Sequence, residues 1–193
     1  MRALVTGGAK RLGREISVYL ANRGYDVAVH YNSSENEALD VAKEINSQGR
    51  LSECLKCDLL IEDQVKALVP LASEALGGPI SMLVNNASIF EHDSFDDATR
   101  ASWDRHMESN LRAPFVLTQA FSKQSPSPIL DKKNEPISQG LVLNMIDQRV
   151  KKLTPDFASY TIAKMGLWAM TQTAARALAP NIRVNAIGPG PTL

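Results

Sequence analysis

The chain has 193 residues, 21 basic against 21 acidic side chains, a formal net charge of zero and 44% hydrophobic residues. That length suits one domain around one core, and that composition excludes a disordered chain. With no global field to draw it onto nucleic acid or an anionic bilayer, and no run near the roughly 18 apolar residues of a membrane span, its expected partner is a small molecule.

Arg2 to Val5 reads as a short strand that runs into a glycine turn, with no secretory leader ahead of it, so a cytoplasmic protein is expected. Leu12 to Arg23 carries Ile16, Tyr19 and Leu20 at helical spacing and closes on Gly24. The alternation continues with strand Val27 to Tyr31, helix Glu35 to Asn46, strand Leu51 to Cys57 and helix Glu62 to Leu76. Ser81 to Val84 is the fourth strand, Trp103 to Ser122 a helix, Leu141 to Ile146 a strand, Ala158 to Leu178 a helix and Ile182 to Ile187 the sixth strand. Repeated βα units predict an α/β fold with a doubly wound parallel sheet. Residues 124–139, broken by Pro126, Pro128 and Pro136, are expected to form a surface loop. Neither a repeat nor a composition shift divides residues 1–193.

Cys54 and Cys57 form a Cys-x-x-Cys, but in a segment that reads as a strand, where side chains three apart point to opposite faces. No second cluster completes a metal site.

Chemistry first gathers at Thr6-Gly7-Gly8-Ala9-Lys10-Arg11-Leu12-Gly13, between a strand and a helix. Glycines there let the backbone approach a pyrophosphate, while the helix N-terminus offers free N–H groups. An acid usually ends the second strand of a dinucleotide site, to hold the ribose hydroxyls; here stand His30, Tyr31, Asn32, Ser33 and Ser34. Such neutral donors, with Lys10, Arg11 and Arg14 nearby, suit a 2′-phosphate and favour NADP over NAD, unless the basic residues merely form a solvated helix start. Asp58 either accepts from an adenine amino group or caps the next helix. Asn85-Asn86-Ala87-Ser88 closes the fourth strand at the edge where open α/β sheets bind ligands. Tyr160 and Lys164, four apart, share one helix face, where an ammonium beside a phenol lowers the phenol pKa and makes a proton donor usable at neutral pH.

Taken in order, these pieces resemble the short-chain dehydrogenase/reductase family of nicotinamide-dependent oxidoreductases, a Rossmann-type fold; Ser109-Asn110-Leu111 and Gly188-Pro189-Gly190 also match its pattern. The resemblance implies Tyr160 as general acid, Lys164 on the nicotinamide ribose and lowering the phenol pKa, and Asn110 holding a water in the proton relay. It also implies Asn86, Ala87 and Ser88 along the cofactor, and Pro189, Gly190 and Thr192 over the nicotinamide. Asp147 stands where the family normally has a Ser, thirteen residues before the Tyr. That departure resembles the pteridine reductase and dihydromonapterin reductase branch, for which Asp147 would meet ring nitrogens, Phe90 would stack on a flat heterocycle, and Arg11 and Ser88 would donate near the phosphates and the pterin edge. The bland alternatives are a structural acid at 147 and a core aromatic at 90.

The expected activity is NADPH-dependent hydride transfer to a pterin C=N bond in a dihydropteridine or dihydrofolate-like compound. A generic 3-oxoacyl-type carbonyl reductase and a non-catalytic NADP-binding regulatory protein are the alternatives. Tetramers are common in the family, and Ile162, Met165, Trp168 and Met170 give the Ala158 helix apolar surface to bury between subunits. The chain ends at Leu193, where the family usually continues, so the sheet is expected to lack that family's last strand.

Overall fold

The computed structural model describes residues 1–190. Its main sheet has six strands in the order β3-β2-β1-β4-β7-β8, every pairing parallel. The strands are β1 (Arg2–Val5), β2 (Asp26–Tyr31), β3 (Ser52–Lys56), β4 (Met82–Asn85), β7 (Gly140–Met145) and β8 (Ile182–Ile187). Their order reverses direction between β1 and β4, which opens a crevice at the carboxyl ends of those two strands.

Where length alone suggested one core, alternation along the strands builds two, one on each face of the sheet. On one face Leu4, Ala28, Leu83 and Val142 meet α3 (Glu62–Ala75) and α5 (Ala113–Gln124) through Leu68, Val69, Leu117 and Phe121. On the other, Ala3, Val5, Val27, Val29 and Val84 meet α1 (Arg11–Asn22) and α2 (Glu35–Ser47) through Leu20, Val41 and Ile45. Each such aliphatic side chain contributes about 1.5–3 kcal/mol when fully buried. The two cysteines divide as a strand requires: Cys57 joins the first core and Cys54 packs on the second.

Two elements differ from their sequence reading. The helix expected over residues 103–122 is α4 (Arg100–Met107), a π-helical turn (Glu108–Arg112) and then α5. Pro114 has no N–H to give the Asn110 carbonyl, so regular α pairing fails there and the turn widens. Residues 124–139 hold a small antiparallel ribbon, β5 (Ile129–Leu130) with β6 (Pro136–Ile137). Asp131 closes its turn, Oδ1 accepting from the Lys133 and Glu135 amides, and prolines are admissible on so short an edge. Gln124 is the end of α5 rather than loop, and its amide bridges Ser73 and Ile80. The last helix, α6 (Ala158–Leu178), keeps its expected bounds.

Candidate active site

A cavity of about 760 Å³ opens along the carboxyl ends of the strands, from the glycine turn to Asp147 and Tyr160. Its floor is backbone. Gly7 sits at φ +61°, and a Cβ on Gly13 would fall 2.0 Å from the Gly7 carbonyl oxygen, so neither position admits a side chain. Asn86 fastens this turn, its Nδ2 donating to the Thr6 and Gly7 carbonyls at 2.9 and 3.2 Å. Thr6 in turn accepts from the Asn86 and Ala87 amides.

His30, read from the sequence among the neutral donors that suit a phosphate, lines the cavity and holds the same turn from the other side. The Gly7 amide donates to Nδ1 at 2.9 Å, so Nε2 carries the proton and donates to the Cys57 carbonyl at 3.0 Å. Burial pulls this imidazole down to about 4. Helix α1 begins at Arg11 in the left-handed region, φ +50°, with no side-chain cap and no acid in its first turn. Its leading N–H groups therefore face the cavity as an anion site.

Lys10, Arg11, Leu12, Asn32 and Asp58, read as cofactor ligands, line the cavity. Tyr31, Ser33 and Ser34 do not: the Tyr31 hydroxyl donates to Glu35, and Ser34 occupies the residue before α2. Lys10 is paired with Glu37 at 2.6 Å, and Arg14 turns away to Glu15 and Glu44. Asp58 accepts from the Leu60 amide and is not the cap of α3, a position held by Ile61. Ala87, Ser88, Pro189 and Gly190 also line the cavity. Thr192 lies outside the described residues.

At the reactive end the Tyr160 hydroxyl donates to Asp147 Oδ2 at 2.8 Å, while Oδ1 accepts from the Arg149 amide. Burial, reinforced by this carboxylate, pushes the phenol well above its ordinary value. That corrects the expectation that Lys164 lowers it. The ammonium instead donates to the Met145 carbonyl at 2.8 Å and stands 5.7 Å from the Tyr160 ring centroid, and burial brings its own pKa down to about 8.

The Asn110 side chain is engaged by Ile89. Its Oδ1 accepts from the Ile89 amide and its Nδ2 donates to the Ile89 carbonyl, both at 2.8 Å, so the side chain is spent on fixing the segment that carries Phe90. Asn85, the buried neighbour of Asn86, donates to Asn144, which donates to Thr171, and so ties β4 and β7 to α6.

Phe90 is 53% exposed rather than a core aromatic. One face stacks on Phe157 at 4.2 Å, its ring meets Tyr160 edge-on at 4.8 Å, and the Arg149 guanidinium covers Phe157 at 4.7 Å. Phe157, at φ +59° just before α6, carried no sequence signal, because nothing in its neighbours announces a left-handed aromatic. Among the described residues no group of three His, Cys, Asp or Glu side chains is placed to hold a metal, and no helix is long and apolar enough to cross a membrane.

A family model described as short chain dehydrogenase matches residues 1–193. The 3-oxoacyl-(acyl-carrier-protein) reductase FabG of Staphylococcus epidermidis is 32% identical over 189 residues, 97% of this chain and 73% of that relative. The crystal structure of FolM alternative dihydrofolate reductase 1 from Brucella suis, in complex with NADP, superposes with a TM-score of 0.90 at 46% identity, over 100% of this chain and 76% of that one. A short chain dehydrogenase from Burkholderia cenocepacia, also in complex with NADP, gives a TM-score of 0.89 at 32% identity, over 98% and 73%.

Proposed function

Since the chain belongs to the short-chain dehydrogenase family of oxidoreductases, we propose that it is an NADPH-dependent reductase whose substrate is the C=N bond of a dihydropterin. The observation that carries the substrate class is the 2.8 Å contact of the Tyr160 hydroxyl with Asp147, beside the exposed ring of Phe90. The residues fit the cofactor: a side-chain-free glycine floor and the uncapped, acid-free start of α1 suit a pyrophosphate. Bound NADPH would supply hydride from its nicotinamide to the ring carbon.

The chain's own residues account for the proton. Tyr160, held neutral, gives its hydroxyl proton to the ring nitrogen as that nitrogen gains negative charge. Asp147 orients the phenol by accepting from it and, once protonated from water, returns the proton to the phenolate. A carboxylate also accepts from pterin N–H groups. Lys164 is anchored on the Met145 carbonyl beside the phenol, and the half-exposed ring of Phe90 offers surface to a flat heterocycle. Within this reading the substrate is a small molecule and the location cytoplasmic.

The 46% identity to FolM favours this class; the 32% identity to FabG favours a ketone reductase as the second reading. An ionised carboxylate beside the phenol repels a ketone oxygen, which speaks against that second reading. Turnover of a dihydropterin against a β-ketoester with NADPH separates the two.

We also propose self-assembly, as a tetramer, through the groove of about 710 Å³ between α5 and α6, where Leu111, Phe115, Met170 and Leu178 lie together. Phe115 is 41% exposed there, a large apolar ring that a second subunit would cover.

A further inference from the structure

Behind Tyr160 lies a polar cluster that the reaction above does not use: Asp93, His106 and Ser159, exposed by 2%, 0% and 1%. They come from three places, the 89–93 segment, α4 and the start of α6. The Ser159 hydroxyl donates to Asp93 Oδ2 and the Ser159 amide to Oδ1 at 3.1 Å. His106 Nδ1 is 2.7 Å from Ser159 Oγ, and the Glu91 amide donates to His106 Nε2 at 3.1 Å. This is not a hydrolytic triad, because the serine sits between the acid and the imidazole and none of the three reaches solvent.

The direction of every proton follows from the chemistry of the ends. A backbone amide only donates, so Nε2 of His106 must accept, and a neutral ring then carries its proton on Nδ1. That N–H points at Ser159 Oγ, which accepts it and donates its own hydrogen to the carboxylate. Burial favours the neutral ring by pulling His106 below its ordinary pKa. Burial alone would raise Asp93, yet the Ser159 hydroxyl and amide hold it lower, which keeps the acceptor charged.

Two site-forming pieces hang on this chain. Glu91 and Asp93 flank Phe90's segment, and Ser159 precedes Tyr160 on α6, whose ring packs edge-on to His106 at 5.9 Å. We propose that Asp93, Ser159 and His106 form a one-way hydrogen-bond chain whose role is to position the Tyr160 phenol against the Phe90 wall, with His106 held as the Nδ1-protonated tautomer. These are positioning residues; the proposal rests on Tyr160 being the proton donor, not on the substrate being a pterin.

Asp93→Asn tests it, because the change is isosteric but reverses the chain. Its amide oxygen is claimed by the Ser159 amide, so its NH₂ faces Ser159 Oγ and the hydroxyl must donate to His106 Nδ1. The imidazole proton moves to Nε2, where it opposes the Glu91 N–H. In the NADPH complex, ¹⁵N spectra of the wild-type protein should show His106 protonated on Nδ1, and Asp93→Asn should show it on Nε2. For Asp93→Asn, kcat should fall roughly tenfold or more, with substrate KM changed by less than about threefold and NADPH Kd by less than about twofold. Should Asp93→Asn fail to bind NADPH, Ser159→Ala, which leaves His106 Nδ1–H without an acceptor, carries the same kinetic comparison. An Nε2-protonated ring in the wild-type protein overturns the proposal. So does an unchanged kcat per NADPH-binding site in whichever variant folds, since a purely structural cluster would lower stability alone. If the wild-type enzyme reduces a β-ketoester and no pterin, the pterin reading fails and this comparison runs on the ester.

Discussion

Tyr160 donates its hydroxyl to Asp147 across 2.8 Å, so the group proposed as the proton donor is bonded to a carboxylate. The phenol is kept neutral, with its proton in hand, and on the proposed reading the acid beside it would select substrates that offer hydrogen as well as receive it.

Tyr160→Phe removes that proton and little else. A loss of about 10²–10⁴ in kcat is expected, with NADPH affinity by fluorescence titration almost unchanged. Full activity in this variant would remove Tyr160 from the mechanism.

Asp147→Ser should suppress dihydropterin reduction more than ketone reduction, because serine supplies a donor to a carbonyl oxygen but a poorer acceptor for ring N–H groups. The measurement is the ratio of kcat/KM for a dihydropterin and a β-ketoester, before and after the change. An unmoved ratio excludes Asp147 as the selector.

Phe90→Ala takes away an exposed ring whose other face is already occupied by Phe157. Loss of stacking worth about 1 kcal/mol should raise pterin KM roughly fivefold and leave the KM for an aliphatic ketoester unmoved. Equal effects on both substrates would argue for general collapse of the wall.

NADPH should bind more tightly than NADH, and Arg11→Ala should narrow the gap. Arg11 occupies φ +50°, so Arg11→Gly removes the same guanidinium while easing the backbone. Both variants should lose NADPH selectivity, measured by titration with each cofactor. Selectivity retained in Arg11→Gly would assign any effect of Arg11→Ala to the backbone.

His30 sets an acid limit. Its folded pKa, about 4, lies below the unfolded 6.5, so between these values the unfolded chain binds more protons. The His30 contribution is intact above about pH 6.5 and is lost as pH falls towards 4, by about 3 kcal/mol in all. Urea midpoints measured across this window should fall steeply for the wild-type chain and less steeply for His30→Asn. Parallel slopes would show that other groups carry the acid sensitivity.

The sheet was legible because strands buried on both faces read as short apolar runs and glycine or polar turns separate them from amphipathic helices. Gly7, Gly13, Asn86 and Tyr160 were legible because each is a residue type that its backbone or chemistry demands. Lys164 was found but its effect was misread: spacing places it on the face of Tyr160, but only coordinates show the ammonium turned to Met145. Asn110 was likewise found by pattern, while its partner Ile89 lies across a turn that no periodicity links to it. His106 and Phe157 were invisible as site residues, and so were the bonds by which His30 holds the glycine turn, since these depend on partners distant in sequence or on a left-handed backbone.

The π-helical turn at Glu108–Arg112 adds a constraint of a different kind. His106 and Asn110 both reach the segment from Ile89 to Glu91, one just before the widened turn and one inside it. Substitution leaves that phase intact, whereas deletion of a single residue between them would rotate one contact about 100° away from the other. What is specified here is a count of residues. Through this stretch the helix should be more tolerant of changed letters on its outer face than of any change in length, a distinction that a survey of insertions and deletions would read directly.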